Sequence, residues 1–454
     1  MNKTSNQSKS INSISKLIHK MQYMPAAQVS ELLENMEEEL VFKILENFPA
    51  EKQGSIFAEF SRLKQLKLFQ SISRLRFAPL FENMPSDKRV DFFQYLTQEE
   101  QATLLPFLCK KVKEDVIALS AYPPEVAGGI MSTDFATVQN NMTCAQALEK
   151  IKSEAPYPKN IYHVYVVNKD QHLLGFISLK DLILAAPDTN IERITNKEFI
   201  AVYVDEDREK VAKLIEKYNL ITLPVINHQN QLVGIVTQED AIDIINAEHS
   251  EDLQKFMGII QASEEFNYLG TYVLKHFQKR VVWIISLAIV GIISGLIIHN
   301  YEKTLDKLLI LALYMPMVAD TGGNAGSQAA TVVVRALALG QINLKDWVQV
   351  LWKETKISVL LAVCLGILAY GKVVFLSWET EIPPSFSLVS IALMIAIALS
   401  LQVISATIIG AALPLLVKAF GGDPAVAASP AITTIVDITG LLIYFGMATL
   451  FFGL

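Results

Sequence analysis

The chain has 454 residues, 51 % of them hydrophobic and 19 % charged, with 39 Lys/Arg against 46 Asp/Glu and a formal net charge of −7. Most of that charge lies early: the first 280 residues carry 31 Lys/Arg and 37 Asp/Glu. An acidic soluble half argues against nucleic acid and anionic lipid as partners, and composition alone asks of it nothing beyond ordinary solubility. The three cysteines, Cys109, Cys144 and Cys364, show no ligand spacing and read as small hydrophobes of a reducing compartment.

Residues 1–25 open with a Ser/Asn/Lys-rich stretch to Lys16 that has no apolar core. They read as a flexible tail and not as a cleaved signal peptide. Residues 26–121 contain an internal repeat at a constant offset of 48. Leu33-Glu34-Asn35-Met36 returns as Phe81-Glu82-Asn83-Met84, Gln53 as Gln101, and Ile56-Phe57 as Leu104-Leu105. Apolar positions such as Leu33, Met36, Leu40 and Ile44 keep helical spacing. This pattern predicts stacked helical hairpins with a continuous core and no catalytic constellation.

A second repeat, at an offset of 59, is of another kind. Val164–Val167, a polar turn and Leu173–Ser178 match Leu223–Ile226, a polar turn and Leu232–Thr237. Each copy reads strand, turn, strand, then a helix begun at Ser or Thr. Ser178/Asp181 and Thr237/Asp240 have capping-box spacing. The pair, expected over 122–186 and 187–247, resembles tandem CBS domains. In that family these Ser/Thr-x-x-Asp positions often hold an adenosine ribose, while capping alone also explains the spacing; both readings stay open.

Residues 248–279 form a linking helix. Glu248, Glu251 and Asp252 stand at i, i+3 and i+4 on one face, with Glu264 and Glu265 further on. The face is either simply solvated or part of an ion-dependent plug beside a membrane path.

From residue 280 the chain is apolar. Val281–Ile298, Leu308–Val334, Ile357–Trp378, Ile382–Val417 and Pro424–Leu454 hold at most one charge each. Spanning a bilayer takes about 20 apolar residues, so five spans are expected. Pro383 and Pro384 leave room for a re-entrant piece at the start of the fourth. Lys275, Lys279, Arg280, Arg335, Lys345, Lys353, Lys356 and Lys418 flank one side; Lys303, Lys307 and Lys372 the other. The basic bias puts the N-terminus in the cytoplasm and the C-terminus outside.

Asp437 stands alone in the fifth span. A carboxylate at mid-bilayer costs about 2.5–3.5 kcal/mol on insertion scales, so it should face a partner or water. Thr433 lies one turn before it, on a face shared with Gly440 and Leu441. The second span reads Pro316-Met317-Val318-Ala319-Asp320-Thr321-Gly322-Gly323-Asn324-Ala325-Gly326-Ser327-Gln328. Small residues there allow close helix approach, and Pro316 with the glycines can loosen the helix and free carbonyls. Asn324, Gln328 and such carbonyls are hard oxygen donors suited to Mg²⁺ or Ca²⁺ waters, and the absence of His and Cys disfavours Cu or Zn.

With Asp423-Pro424-Ala425 and Thr433-Thr434-x-x-Asp437 added, the chain is similar over nearly its whole length to the MgtE family of magnesium channels. The resemblance implies a multi-domain membrane protein: an α-helical repeat N domain, a tandem α/β CBS pair, a connecting (plug) helix and a five-helix all-α transmembrane domain. It implies a homodimer in a bacterial plasma membrane, with Mg²⁺ as the ion carried. Its pore would be lined by the second and fifth spans, with Asp437, Asn324, Gly323, Thr433, Asp320 and Gln328 as pore positions. The family senses cytoplasmic Mg²⁺ through acids that repel until the ion neutralises them and closes the pore. The matching acids are Asp240, Asp243, Glu248, Glu251, Asp252 and Asp423, with Asp87 and Asp91 in the N domain. ATP in the CBS pair, at Ser178, Asp181, Thr237 and Asp240, is the nucleotide that the resemblance would bring. The chain departs from the family at Tyr218-Asn219-Leu220, where Asp is usual, in the weakly acidic turn Pro85–Arg89, and at Ala428-Ser429-Pro430.

Competing classes differ in what they require. A membrane metalloprotease needs His-Glu-x-x-His, which the seven histidines do not form, so the chain is read as no enzyme. A CBS scaffold that only anchors itself leaves Asp437 unexplained. A transporter of Ca²⁺, Co²⁺ or Mn²⁺ keeps the same residues.

Overall fold

The computed structural model describes residues 19–153, 161–259, 271–427 and 429–453. The stretch to Lys16, the acids Glu264 and Glu265, and Ala428 lie outside the described residues. The chain divides into two compact units, Met1–Glu248 and His249–Leu454.

From Ala26 the described residues of the first unit form eight α-helices: α1 (Ala26–Leu33), α2 (Glu38–Leu45), α3 (Ala50–Ala58), α4 (Arg62–Ser71), α5 (Arg74–Glu82), α6 (Ser86–Tyr95), α7 (Gln98–Leu104) and α8 (Lys110–Leu119). Each of the first four starts 48 residues before its counterpart, as the sequence repeat expects. The repeat extends to single bonds. Gln53 Nε2 donates to the Phe48 carbonyl at 2.8 Å, and Gln101 Nε2 to the Leu96 carbonyl at 3.2 Å. Apolar faces meet in one core where Phe57 lies edge-on to Phe77 and Phe92, with ring centroids 5.3 and 5.4 Å apart. Such edge-to-face pairs add to burial and fix orientation.

Next come α9 (Ala127–Ile130), β1 (Ala136–Gln139), α10 (Cys144–Ser153), β2 (His163–Val167), β3 (Leu173–Ser178), α11 (Leu179–Leu184), α12 (Ile191–Ile194), β4 (Val202–Tyr203), α13 (Arg208–Tyr218), β5 (Thr222–Ile226) and β6 (Leu232–Thr237). They build two three-stranded sheets, β1-β2-β3 and β4-β5-β6, each with a parallel and an antiparallel pair. The copies meet symmetrically: Leu173 N donates to Asn230 O at 3.2 Å, and Leu232 N to Gln171 O at 3.0 Å. Repeat-equivalent His163 and Thr222 touch, Nδ1 to Oγ1, at 3.0 Å. This is the CBS pair. Asn219 caps α13 in the left-handed region, with φ 51°, a place that Asn tolerates better than most residues.

β6 runs into α14 (Gln238–Phe256), which belongs to both units by sequence. Of the linking stretch expected over 248–279, residues 260–270 lie outside the described residues. Residues 248–256 finish α14, because nothing after Gln238 interrupts it until Gly258, at φ 69°, turns the chain. A side chain at Gly258 would strike the Trp283 indole. Among the described residues the next helix begins at Val273 and is the first long apolar one.

Among its described residues the second unit has five long helices after α14: α15 (Val273–Asn300), α17 (Ile310–Ala338), α18 (Trp347–Leu376), α19 (Leu388–Ala419) and α20 (Ser429–Phe452), with a short α16 (Glu302–Lys307). Among the described residues four of them, α15, the helix ending at Leu376, α19 and α20, are long and apolar enough to cross a membrane. The chain is thus a multi-pass membrane protein. α17 has the length, but its Asp320–Gln328 stretch lowers its hydropathy. Two expectations are corrected here. No re-entrant piece opens α19: Pro383 and Pro384 sit in a turn, and the helix then runs 32 residues unbroken. α17 continues through Pro316 and the glycines, so Pro316 leaves only the Ala312 carbonyl without its helical donor. The glycines serve packing instead: a side chain at Gly410 of α19 would overlap the Gly326 carbonyl of α17.

Candidate functional site

The site in the membrane unit lies where α17, α19 and α20 pack together. Asp437 is half-buried on α20, between buried Val436 and Gly440. Gly323 lets α20 approach: a Cβ there would stand 2.9 Å from Thr433 Cγ2 and 3.9 Å from Asp437 Oδ1. A hydroxyl chain continues one turn away. Ser429 Oγ donates to Ser327 Oγ at 3.0 Å, Ser327 Oγ lies 3.5 Å from Thr433 Oγ1, and Thr433 Oγ1 donates to the Ser429 carbonyl at 3.0 Å. Asp320, Asn324 and Gln328 occupy i, i+4 and i+8 of α17, and all three are exposed. The Asp320 charge reaches Asp437. The Asp320 and Asp437 carboxylates, the Asn324 and Gln328 amides on the Asp320 stripe of α17, and the Ser327, Ser429 and Thr433 hydroxyls are the oxygen types that suit a hard, hydrated cation.

The other singled-out acids form two contacts. In the first unit, α6 docks on the CBS pair through Ser86: its N donates to Asp134 Oδ2 at 3.0 Å and its Oγ meets Ser132 Oγ at 2.8 Å. That docking brings Asp87 toward Asp240 of α14. Burial, then the Asp240 and Asp91 charges, push Asp87 up to about 8, against the pull of Lys88. Burial likewise raises Asp240 above the usual carboxylate range. Burial pulls the Lys88 ammonium down, but Asp87, Asp240, Asp243 and Asp91 outweigh it and hold the group above its ordinary value. Lys88 Nζ lies 3.4 Å from Asp243, and Arg62 lies 4.0 Å from Asp91. Glu248 is held by Arg208 at 2.7 Å.

In the second unit, Lys255 Nζ bridges Glu251 at 2.9 Å and Asp423 at 2.8 Å. Burial lowers Lys255, and the two carboxylates more than reverse it. Asp423 also caps the turn before α20, Oδ1 accepting from Ala425 N at 2.9 Å. Beside this bridge Phe256 is buried among Ala330, Ala406, Ile432 and Val436 of α17, α19 and α20. Asp252 is half-buried on the same turn. Among the described residues no three His, Cys, Asp or Glu side chains are placed to share a metal ion. Ser178/Asp181 and Thr237/Asp240 each form hydroxyl–carboxylate caps at 2.6 Å. Sequence reasoning missed Ser327, Ser429 and Lys255; the one signal was Lys255 four residues past Glu251.

The fold and these oxygen donors define a class: a multi-pass membrane protein with a CBS module and polar residues on its apolar helices. The family model described as divalent cation transporter, MgtE, matches residues 315–447; the MgtE intracellular N domain matches 24–125, and the CBS domain 127–188 and 191–247. The magnesium transporter MgtE of Thermus thermophilus is 35 % identical over 347 residues, 76 % of this chain and 74 % of its own. That of Bacillus subtilis is 35 % identical over 334 residues, 73 % of this chain and 71 % of its own. A crystal structure of the cytosolic domain of the Mg²⁺ channel MgtE in complex with ATP is 27 % identical, with TM-score 0.49, and covers 53 % of this chain and 98 % of its own. The chain belongs to the MgtE family of divalent cation transporters.

Proposed function

We propose that the chain carries Mg²⁺ across a bacterial plasma membrane as a homodimer, with Asp437 as the central acceptor of the path. The observation that carries this reading is the exposed stripe Asp320, Asn324 and Gln328 beside half-buried Asp437, within an apolar bundle. Facing lipid, such a stripe costs several kcal/mol; facing a second copy across water, it is solvated. Two copies would present two Asp437 carboxylates, and Coulomb attraction then favours divalent over monovalent cations. Asn324, Thr433, Gln328 and Asp320 supply further oxygens for waters that Mg²⁺ gives up reluctantly, and Gly323 contributes the close approach of α17 to Thr433 and Asp437. In this arrangement α17 is the second of five spans, the N-terminus is cytoplasmic and the C-terminus outside.

Cytoplasmic Mg²⁺ regulates the path. Asp87 and Asp240 are costly to keep charged side by side, and a divalent ion held with Asp91 and Asp243 relieves that cost. Glu248, Glu251, Asp252 and Asp423 form the second set. An adenosine ribose fits Ser178 and Asp181 best, since that pair is exposed while Asp240 is turned toward Lys88 and Asp87. The N domain, CBS copies and membrane unit take the bounds 26–121, 122–186, 187–247 and 280–454.

The test is flux of the purified full chain in proteoliposomes. Asp437→Ala should abolish Mg²⁺ uptake in protein that still inserts and dimerises; normal uptake sinks the reading. Equal or faster flux of Ca²⁺, Co²⁺ or Mn²⁺ in the native chain would change the ion and keep the path.

A further inference from the structure

We propose that Gln402 is a positioning residue of this path: its amide sets the rotation of α20, and so the spacing between Asp437 and the oxygen donors of α17. The inference rests on the reading of Asp437 as the path's carboxylate. Gln402 is the only amide in the 32 residues of α19, and its exposure is 0 %. Its Nε2 donates to the Val436 carbonyl at 2.8 Å, the peptide oxygen bonded directly to the Asp437 nitrogen's partner carbon. Its Oε1 accepts from Ser405 Oγ at 3.3 Å. Burying an amide in a membrane helix is tolerated only with such partners.

Two glycines open the slot it fills. A Cβ at Gly440, one turn past Val436, would stand 2.6 Å from Gln402 Nε2, and one at Gly322 of α17 would stand 2.5 Å from it. Gly322 is the neighbour of Gly323, the residue that meets Thr433 and Asp437. One side chain therefore touches both helices that carry the ion's oxygens, on the side of the peptide that leads into Asp437. An apolar side chain of equal volume would fill the slot and leave α20 free to rotate. Discrimination among hydrated divalent ions depends on the spacing of their acceptors, so this contact governs affinity and selectivity as well as packing.

The test uses the full chain in proteoliposomes, with Mg²⁺ and Ca²⁺ flux measured per inserted protein. Gln402→Met keeps the volume and removes the donor. It should raise KM for Mg²⁺ by about three- to tenfold, the range of a single interhelical hydrogen bond, and lower the Mg²⁺/Ca²⁺ flux ratio by a similar factor. Gly440→Ala pushes the amide out from the opposite side and should do the same, and the double variant should be no worse than either single one. Reduced flux with KM and ratio unchanged means a packing role only and overturns the proposal, as does additivity in the double variant. Asp437→Ala separates the two readings. Mg²⁺ flux surviving there overturns the path itself, whereas flux lost there with an unaltered Gln402→Met overturns the positioning role alone.

Discussion

The two carboxylate contacts differ in how much positive charge the chain supplies to them. At the docking of α6 on the CBS pair, Lys88 faces Asp87, Asp91, Asp240 and Asp243. Near the end of α14, Lys255 bridges Glu251 and Asp423, both within 3 Å. The first contact is left with excess negative charge in partly buried surroundings, and its acids respond by holding protons more tightly. The second carries its own counter-ion and adds an apolar anchor in Phe256. Dependence on an external cation should therefore concentrate at the first contact, while the second holds without one.

Asp87→Asn breaks that contrast most strongly. Removing a buried charge whose proton affinity reaches about 8 should stabilise the docking of α6 at low Mg²⁺ by about tenfold or more. Hydrogen exchange of α6 amides in the full chain reads it; unchanged protection would remove Asp87 from sensing. The same measurement across pH sharpens the point. Asp87 is raised to about 8 in the folded chain, so its contribution is fully present below the ordinary carboxylate range, near 4, and is lost as pH rises through about 8; Asp240, raised as well, acts in the same direction. Saturating Mg²⁺ should flatten that dependence.

Phe256→Ala acts on the second contact and should loosen the end of α14 from α17, α19 and α20 by about tenfold or more, as truncation of a buried aromatic does. Higher Mg²⁺ flux at inhibitory Mg²⁺ concentrations is the readout, and flux equal to the native chain's would show that this anchor does not control the path. Lys255→Met should have the smallest effect, about threefold, because the bridge is partly exposed. Flux should rise at low Mg²⁺, where Glu251 and Asp423 then repel, and return to normal when Mg²⁺ is added. A flux increase that added Mg²⁺ cannot reverse would contradict the role of Lys255 as a built-in counter-ion.

Much of the architecture was legible because it repeats. The offset of 48 marked helix pairs and carried down to the Gln53 and Gln101 bonds. The offset of 59 marked the strands that later exchange bonds between Gln171–Leu173 and Asn230–Leu232. Asp437, Asn324 and Thr433 stood out because charge and amides are costly in apolar helices. Gln402 lies in equally apolar sequence, and its meaning depends on Gly322 and Gly440, far away in the chain. Pro316 and Pro383 depart from what their local sequence implies for a related reason. A proline removes one donor, and neighbouring helices decide whether the backbone yields.

Sequence by itself determined the order of modules, the long apolar segments and the residues too polar to face lipid, because burial costs and periodicity are local properties of composition. Only the tertiary structure decided which acids are already paired with lysine, which glycines serve a neighbour's side chain, and which amide is aimed at the peptide before Asp437. Those are distances between residues remote in the chain, and spacing along a sequence does not contain them.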